Sequence, residues 1–432
     1  MTKTKFLSLF SILIIKFLVL NAQDTWVQSY APFGSSEDKN YSVRNIAVCQ
    51  DGGYAVNGSF RYELDESWII EYGFLMKTDS DGNYLWARRD TVTFIEKTES
   101  YAFIETDDAG FMSAATNASI GGGNALIKRD SEGNREWVVD NDGFQVYSMA
   151  KINDGNIILA GRINSTPGIR KITQEGYEIW TQNYNPLNQR DVGKLYSIIQ
   201  TSDEGFAATG YIVDESADIF ILKTGINGDS LWTKTYDGYE DSDYGRCIIK
   251  RNNNNFAIIG YFHSLRVFET VLIEITDFGE TIFNDILNNN IISTCIIETS
   301  DNNYVSYYWD NTRNLCKFNE SDEILWHSEL PIYSSAGGDR GIVETDEGGF
   351  LCAGSDYGNY NIKIVKTDSN GQYTGISNDN IIQLPSFNLQ TYPTPFNPST
   401  TINFDIYRST AISLKIYNIK GQLIRELIDE HT

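Results

Sequence analysis

Histidine, the side chain best suited to acid–base chemistry near neutral pH, occurs only three times in the 432 residues. The three are His263, His327 and His431. None belongs to an H-E-x-x-H motif, and the sequence contains neither a G-x-S-x-G turn nor a Walker loop. A Ser–His–Asp site needs a histidine beside a serine, and nothing in the spacing indicates one. We therefore predict no catalytic residues and interpret His263 and His327 as ordinary, partly exposed side chains.

Two acidic segments have oxygen atoms suited to calcium. Residues Asp79–Gly82 read D-S-D-G, like the start of a calcium loop, but position five holds Asn83 and the later glutamate is missing. The segment YEDSDYG at 239–245 has the charge for weak calcium binding but is more typical of a solvated loop. Since D-S-D-G recurs as a turn, we favour a structural role for both segments and predict no metal site and no cofactor.

Five tyrosines stand near the beginning of apolar, strand-like runs, and they are candidate ligand-binding residues: Tyr41, Tyr101, Tyr147, Tyr196 and Tyr244. If those strands surrounded a common axis, a ring of tyrosines near the mouth would stack on sugars or on a peptide. The alternative is that the tyrosines pack against neighbouring sheets. The choice depends on the elements that carry them.

A repeat runs through most of the chain. KTDSDGNYLW at 77–86 returns as KRDSEGNREW at 128–137. The anchor of this pattern is Lys77 and its equivalents Lys128, Lys171, Lys223, Glu274, Lys317 and Lys366. Five residues after the anchor stands glycine, or Asp322 in the sixth copy, and nine residues after it stands an aromatic residue in six copies. A glycine there fits a hairpin turn that needs a positive φ.

A second turn precedes each anchor, as in DGGYAVNG at 51–58 and DEGFAATG at 203–210. Each unit thus holds four strands. From Tyr54 to Phe350 six steps cover 296 residues, about 49 per unit, which is the period of a β-propeller blade. A β-solenoid is the structural alternative, although its repeats are usually shorter.

The seventh copy, KTDSNGQYTG, lacks its tryptophan strand. WVQSY at 26–30 matches WTQNY at 180–184 and WTKTY at 232–236, so the N-terminal segment resembles a fourth strand without its own blade. Pairing it with the last copy removes two exposed sheet edges. The sequence therefore predicts an all-β, seven-bladed propeller over residues 23–376, closed by the N-terminal strand.

Residues 1–22 have the charged start, apolar run and Leu20/Ala22 cleavage signature of a signal peptide cut before Gln23. A membrane anchor is the alternative, but Lys16 splits the run, and no later segment is a spanning candidate. Loss of Lys3, Lys5 and Lys16 changes the net charge from −24 to −27. Such a surface repels nucleic acid. The five cysteines lie in apolar runs without C-x-x-C, so we expect buried free thiols.

After a predicted linker, residues 377–390, the tail 391–432 contains YPTPFNPSTTI at 392–402 and KIYNIKGQ at 415–422. These motifs resemble the C-terminal immunoglobulin-like sorting domain of proteins exported by the bacterial type IX secretion system, and the related FlgD-like domain. Thr394 departs from the usual asparagine. The family domain is a longer β-sandwich, whereas about three strands are expected here, so the resemblance implies a partial sandwich. It also implies the type IX machinery as a partner.

Together these features predict a secreted or cell-surface protein that binds a glycan or protein ligand without catalysis. The alternative is an extracellular hydrolase or lyase acting on polysaccharides. A structural spacer without a ligand is a third interpretation.

Overall fold

The computed structural model describes residues 25–34, 39–65, 68–90, 98–117, 124–184, 192–238, 242–264, 267–287, 292–309, 313–321, 323–332, 334–335, 341–356, 361–374, 389–392, 401–404, 411–417 and 423–431. Every regular element within these residues is a β-strand. No helix in this part of the chain has the length and hydropathy needed to cross a membrane. The predicted signal peptide and residues 377–388 of the predicted linker lie outside the described residues.

The chain folds into consecutive antiparallel sheets of four strands, one for each sequence repeat. The described part opens with β1 (Trp26–Tyr30). Blade 1 follows as β2 (Lys39–Val48), β3 (Tyr54–Asp65), β4 (Trp68–Thr78) and β5 (Tyr84–Asp90). Blade 2 is β6 (Thr98–Glu105), β7 (Phe111–Asn117), β8 (Asn124–Arg129) and β9 (Arg135–Asp140). Blade 3 is β10 (Gln145–Lys151), β11 (Ile157–Ile163), β12 (Thr166–Ile172) and β13 (Glu178–Asn183).

Three more blades have the same strand order. Blade 4 is β14 (Gly193–Gln200), β15 (Phe206–Val213), β16 (Ala217–Thr224) and β17 (Ser230–Tyr236). Blade 5 is β18 (Tyr244–Lys250), β19 (Phe256–Ser264), β20 (Val267–Ile275) and β21 (Thr281–Leu287). Blade 6 is β22 (Ile292–Glu298), β23 (Tyr304–Trp309), β24 (Arg313–Phe318) and β25 (Ile324–Leu330).

The seventh blade contains both ends of the repeat region. Its strands are β26 (Ser334–Ser335), β27 (Ile342–Glu344), β28 (Phe350–Ser355) and β29 (Ile362–Thr367), and β1 pairs with the outer side of β29. The side chain of Thr25 bonds to that of Thr374 at 2.8 Å, 349 residues along the chain. The predicted seven-bladed propeller and its closure by the N-terminal strand are therefore confirmed.

The first strand of each blade lies innermost. First strands of successive blades contact each other around the ring, including β22 with β27 and β27 with β2. The third strands are covered on both faces, as in β8, where all six residues are buried. The outer strands are partly exposed, as in β17. The apolar core accordingly lies between blades, with separate clusters that join blades 2 and 3, 3 and 4, and 4 and 5.

In six of the seven blades, glycine in the turn after the third strand lies against the tryptophan of the preceding blade. Gly82 has a φ of 78°, and a Cβ added to it would lie 2.8 Å from the ring of Trp26. Both the dihedral and the space therefore require glycine. The same contact recurs in Gly133 with Trp86, Gly176 with Trp137, Gly228 with Trp180, Gly279 with Trp232, and Gly371 with Trp326. The repeated tryptophan thus packs against a neighbouring blade, as predicted, and Trp26 continues the series across the closure.

The repeated lysine is part of a buried clamp within each blade. Lys223 is only 1% exposed, and its Nζ lies 2.7 Å from a carboxylate oxygen of Asp203. It also donates to the carbonyl of Thr224 at 3.2 Å. Equivalent pairs are Lys77–Asp51, Lys128–Asp108, Lys171–Asp154, Lys317–Asp301 and Lys366–Glu347. The D-x-G turn is thereby tied to the third strand, which explains why both residues recur.

Blade 5 has the opposite charge at the lysine position. Glu274 replaces the lysine, and its carboxylate accepts a bond from Asn255 at 2.8 Å. Arg251 supplies the cation, 2.6 Å from Glu274 and 3.2 Å from Glu298. Since Glu298 belongs to blade 6, this variant of the clamp also joins two blades.

The described strands of the C-terminal region belong to a second unit, which also includes residues 30–34. β30 (Leu389–Tyr392) pairs with β31 (Thr401–Phe404), and β32 (Ala411–Tyr417) pairs with β33 (Leu423–His431). The three strands expected from the sequence are present, together with β30, whose first two residues lie in the predicted linker. The predicted sandwich is not established by these two pairs.

Candidate functional site

One β-bulge recurs in the first strands of blades 1 to 6. In each of these first strands, one residue has no partner in the second strand, so the pairing register shifts there. A bulge inserts an unpaired residue and redirects a side chain. The bulge residues, in blade order, are Arg44, Tyr101, Tyr147, Tyr196, Arg246 and Thr294. Three of the five predicted tyrosines therefore occupy one equivalent position of the fold.

The bulge side chains contact one another from blade to blade. The guanidinium of Arg44 lies 4.8 Å from the ring centre of Tyr101. The ring centres of Tyr101 and Tyr147 are 4.9 Å apart, and those of Tyr147 and Tyr196 are 5.7 Å apart. Arg246 closes the series, 4.2 Å from the centre of Tyr196. We call these five residues the axial arc, because they lie on the innermost strands of five consecutive blades.

A second row lies two residues before the bulge, on the same face of the strands. It is occupied by Ser42, Glu99, Gln145, Lys194 and Tyr244. Lys194 faces Tyr211 and Tyr244 faces Tyr261 on the second strands of their blades. Ring contacts continue from Tyr196 through Tyr211, Tyr244 and Tyr261 to Phe268, with centres 4.9 to 5.9 Å apart. Tyr244 thus belongs beside the axial arc rather than in it.

Tyr41 is not part of this arrangement. It stands three residues before the bulge, so its side chain points to the opposite face of the strand. It is 2% exposed and packs on Phe60 and Phe74, at 5.0 and 5.9 Å between ring centres. Tyr41 is therefore a core residue that packs on aromatic side chains of its own blade. Sequence spacing did not distinguish the two faces, because the bulge that sets the parity is a feature of the paired strands.

Sequence analysis missed Tyr211, Tyr261 and the cations. Both missed tyrosines follow the glycine of the second-strand motif, in FAATGY and FAIIGY, and Arg162 stands at the same place in IILAGR. That shared position was the available signal. Lys194 gave no repeat signal, since a lysine stands at its position in one blade only, and an arginine recurs at the bulge in blades 1 and 5 alone.

Cations lie directly on the aromatic surface. The Nζ of Lys194 is 4.4 Å from the ring centre of Tyr147 and 4.9 Å from that of Tyr196. Such cation–π contacts stabilise a charge that has lost part of its hydration. Arg162 donates to Gln145 at 2.5 Å, and Gln145 also accepts the Tyr147 hydroxyl at 3.3 Å.

Positively charged side chains lie close together around the axial arc. Burial, together with repulsion from Arg162, Arg246 and Arg44, lowers the pKa of Lys194 to about 8, against the opposing attraction of Glu99. Glu99 pairs with Arg44 at 3.4 Å. Burial raises the pKa of Tyr147, as it does for Tyr101 and Tyr196. These phenols therefore remain neutral near pH 7 and keep a hydrogen-bond donor.

The other candidate groups have structural contacts. The Asp79 carboxylate accepts backbone bonds from Asp81 and Asn83 at 3.0 and 2.7 Å, so D-S-D-G is a blade turn, as predicted. Asp243 is fully buried and accepts the backbone N–H groups of Gly238 and His263, at 2.7 and 2.9 Å. Residues 239–241 of that acidic segment lie outside the described residues.

The histidines are placed as ordinary side chains. His263 is half-buried and stacks on Phe268 with ring centres 4.4 Å apart, while His327 is exposed on β25. Among the described residues, no group of three or more His, Cys, Asp or Glu side chains is arranged to hold a metal ion. All five cysteines are buried and free.

The sequence matches no model of a known protein family and no curated protein. Solved structures share the fold. Virginiamycin B lyase from Staphylococcus aureus, an inactive variant with quinupristin, is 13% identical with a TM-score of 0.51, over 79% of this chain and 99% of that one. The Pan2 WD40 domain of Neurospora crassa is 10% identical with a TM-score of 0.52, over 82% and 97%. PorZ, a surface component of the type IX secretion system of Porphyromonas gingivalis, is 11% identical with a TM-score of 0.46, over 87% and 53%. At these identities the first two comparisons support the propeller fold and no activity.

Proposed function

We propose that this protein is a non-enzymatic binding or adhesion module of the cell exterior and that its ligand, a glycan, binds at the axial arc. One observation carries the proposal: aromatic rings from three consecutive blades form a continuous surface at equivalent positions of the innermost strands. Tyrosine rings with neutral hydroxyls bind sugars by stacking on their faces and by hydrogen bonding to their hydroxyl groups.

The binding test compares wild-type protein with Tyr147→Ala and Tyr196→Ala on a glycan array. We expect each substitution to abolish or strongly reduce binding to the glycans that the wild type retains. Tyr177→Ala is the matched control, because Tyr177 is a tyrosine 72% exposed in a blade turn outside the arc. Tyr147→Phe keeps the ring and should keep most of the binding. Equal binding by wild type and both arc variants would refute the proposal.

Secretion is the second part of the proposal. It rests on the signal sequence of residues 1–22 and on the tail motifs YPTPFNPSTTI and KIYNIKGQ. We propose that residues 391–432 act as a sorting domain of partial immunoglobulin-like type, following a linker at 377–390, and engage the type IX machinery. Expression of the full chain and of a chain ending at residue 376, in a bacterium with that machinery, tests this. Surface delivery of both chains would contradict a sorting role for the tail.

The alternative function is an extracellular enzyme that cleaves acidic polysaccharides. The observation in its favour is the position of Lys194 Nζ between Tyr147 and Tyr196, with a pKa lowered to about 8 by burial and by nearby arginines. A neutral lysine of this kind can remove the proton on the carbon beside a sugar carboxylate whose charge the arginines neutralise. A carbon–carbon double bond then forms as the adjacent glycosidic C–O bond breaks, and the departing oxygen takes a proton from solvent water. An unsaturated sugar product, detected by its ultraviolet absorbance, would establish a lyase.

A further inference from the structure

We infer that the ligand of the axial arc is an acidic glycan, whose sugar rings stack on the tyrosines and whose carboxylate or sulfate groups pair with Arg44, Arg162, Lys194 and Arg246. This inference rests on the proposed binding function and names its ligand class. It depends on the distribution of charge around the arc, which is independent of the ring contacts themselves.

The arc is positive in a strongly acidic chain. The protein carries a net charge of −24, yet four cations gather around three tyrosines. One of the four, Arg44, pairs with the carboxylate of Glu99 at 3.4 Å. Like charges held this close in a partly desolvated place destabilise the empty protein. A bound anion removes that repulsion, so the arrangement favours an anionic ligand.

The cations of the arc differ from the structural lysines of the fold. Each clamp lysine has a carboxylate within 2.6 to 3.1 Å. Within the described residues, by contrast, Lys194 contacts tyrosine rings and Arg162 contacts the neutral Gln145, and neither forms a salt bridge. Their charge is therefore not used by an ion pair of the described fold and is available to a ligand.

Charge and ring surface alternate along the arc. Arg44 lies at one end, over Tyr101, and Arg246 at the other, over Tyr196. Lys194 stands between, over Tyr147 and Tyr196. A chain of sugar acids offers the matching alternation, because each unit has a face for stacking and a charged substituent at its edge.

The test measures binding of the full mature protein to four probes by calorimetry: an oligogalacturonate, the same oligomer as its methyl ester, a sulfated oligosaccharide and a neutral oligosaccharide. The ester is the matched control, since it keeps the sugar rings and loses the charge. We expect the acid, the sulfated probe or both to bind at least tenfold more tightly than the ester and the neutral probe. The comparison of acid with sulfate identifies the anionic group.

The protein variants are Lys194→Gln and Arg246→Gln. Because a charge-assisted hydrogen bond contributes more than a neutral one, each should lower affinity for the acidic probe about 10- to 100-fold and leave the ester unaffected. Lys250→Gln is the control, since Lys250 is exposed at the other end of the strand that carries Arg246. Lys194→Arg keeps the charge and should keep the affinity, which separates loss of charge from misfolding.

A change of pH gives an independent readout. Lys194 faces Arg44, Arg162, Arg246, Glu99 and the tyrosine rings, and it alone among these cations titrates near pH 8. Affinity of the wild type for the acidic probe should therefore fall between pH 7 and pH 9, whereas that of Lys194→Arg should not.

The outcomes separate the two proposals. Equal binding of acid and ester, both abolished by Tyr147→Ala, would overturn the acidic class and leave glycan binding in place. Failure of all four probes and of the glycan array would overturn both. Binding of an acidic peptide such as polyglutamate, with no glycan bound, would replace the glycan by a peptide. Conversion of the acidic probe to product would support the acidic class together with the enzymatic alternative.

Discussion

Replacement of Trp26 by alanine tests whether the ring is closed in the way the structure shows. Trp26 lies on β1, the N-terminal strand that completes blade 7, and its ring covers Gly82 of blade 1. It also contacts Tyr54, with ring centres 5.8 Å apart. The substitution therefore removes the packing of the N-terminal strand against blade 1 while leaving the internal blade interfaces intact.

The expected loss of stability follows from the buried surface. Most of the Trp26 side chain is covered. A tryptophan buries about 200 Å² when fully covered, so about three quarters of that, at ~25 cal/mol per Å², contributes ~3.8 kcal/mol. The tilted contact with Tyr54 adds about 0.5 kcal/mol or more. We therefore expect Trp26→Ala to lower the free energy of unfolding by ~4 kcal/mol.

The assay is urea unfolding followed by circular dichroism on the mature chain. Trp137→Ala is the control, because Trp137 makes the same contact with Gly176 at an internal interface. Closure predicts losses of similar size for the two variants and a larger loss when residues 25–30 are deleted. If Trp26→Ala left the unfolding midpoint unchanged while Trp137→Ala lowered it, the seam would contribute nothing to stability and the closure argument would be refuted.

Three further predictions concern stability and reactivity. Arg129→Met removes the guanidinium that lies 2.9 Å from the fully buried Asp90, which should lower the free energy of unfolding by about 3–5 kcal/mol. The double variant Asp90→Asn/Arg129→Met should recover most of that loss in urea unfolding. A strictly additive loss in the double variant would contradict the ion pair. Partial burial opposes ionisation of Asp108, yet hydrogen bonds led by that of Lys128 lower its pKa to about 2, so this stabilisation is complete above about pH 4 and is lost as the pH falls through 2. Lys128→Met should reduce the loss of stability between pH 5 and pH 2, and an unchanged acid transition would count against the clamp. Burial raises the pKa of Cys49 to about 12, so a thiol reagent at pH 8 should label the five cysteines only on unfolding, and a fast-reacting thiol in the folded protein would disagree with the structure.

Much of the fold was predictable because its information is local and repeated. A glycine that needs φ of 78°, as at Gly82, and an aromatic residue four positions later mark the end of each blade in the sequence itself. The number of copies then gave the number of blades. In the sequence, the strand at Trp26–Tyr30 has no blade of its own, and the seventh copy lacks its last strand. Together they indicate that the ring is closed by pairing the two ends. The lysine anchors were also visible, although their pairing with Asp51 and its equivalents was not.

The site was only partly predictable, and the reason is the register of the strands. The sequence indicates Tyr101, Tyr147 and Tyr196 because each stands near the start of a strand-like run. In the structure each of them occupies the bulge of its blade. Tyr41 has a similar place in the sequence, but it stands an odd number of residues before the bulge. Its side chain therefore points to the opposite face of the strand and lies in the core.

The sequence by itself thus determined the blade, the number of blades, the strand that closes the ring and the turns, because each depends on residues close together along the chain. Only the tertiary structure decided which side chains meet at the axis. Lys194, Arg246 and Arg44 come from blades 4, 5 and 1, and their charges become neighbours only when the blades surround a common centre. The spacing of these residues along the chain does not indicate that they lie close together, because their proximity is created by the curvature of the closed ring.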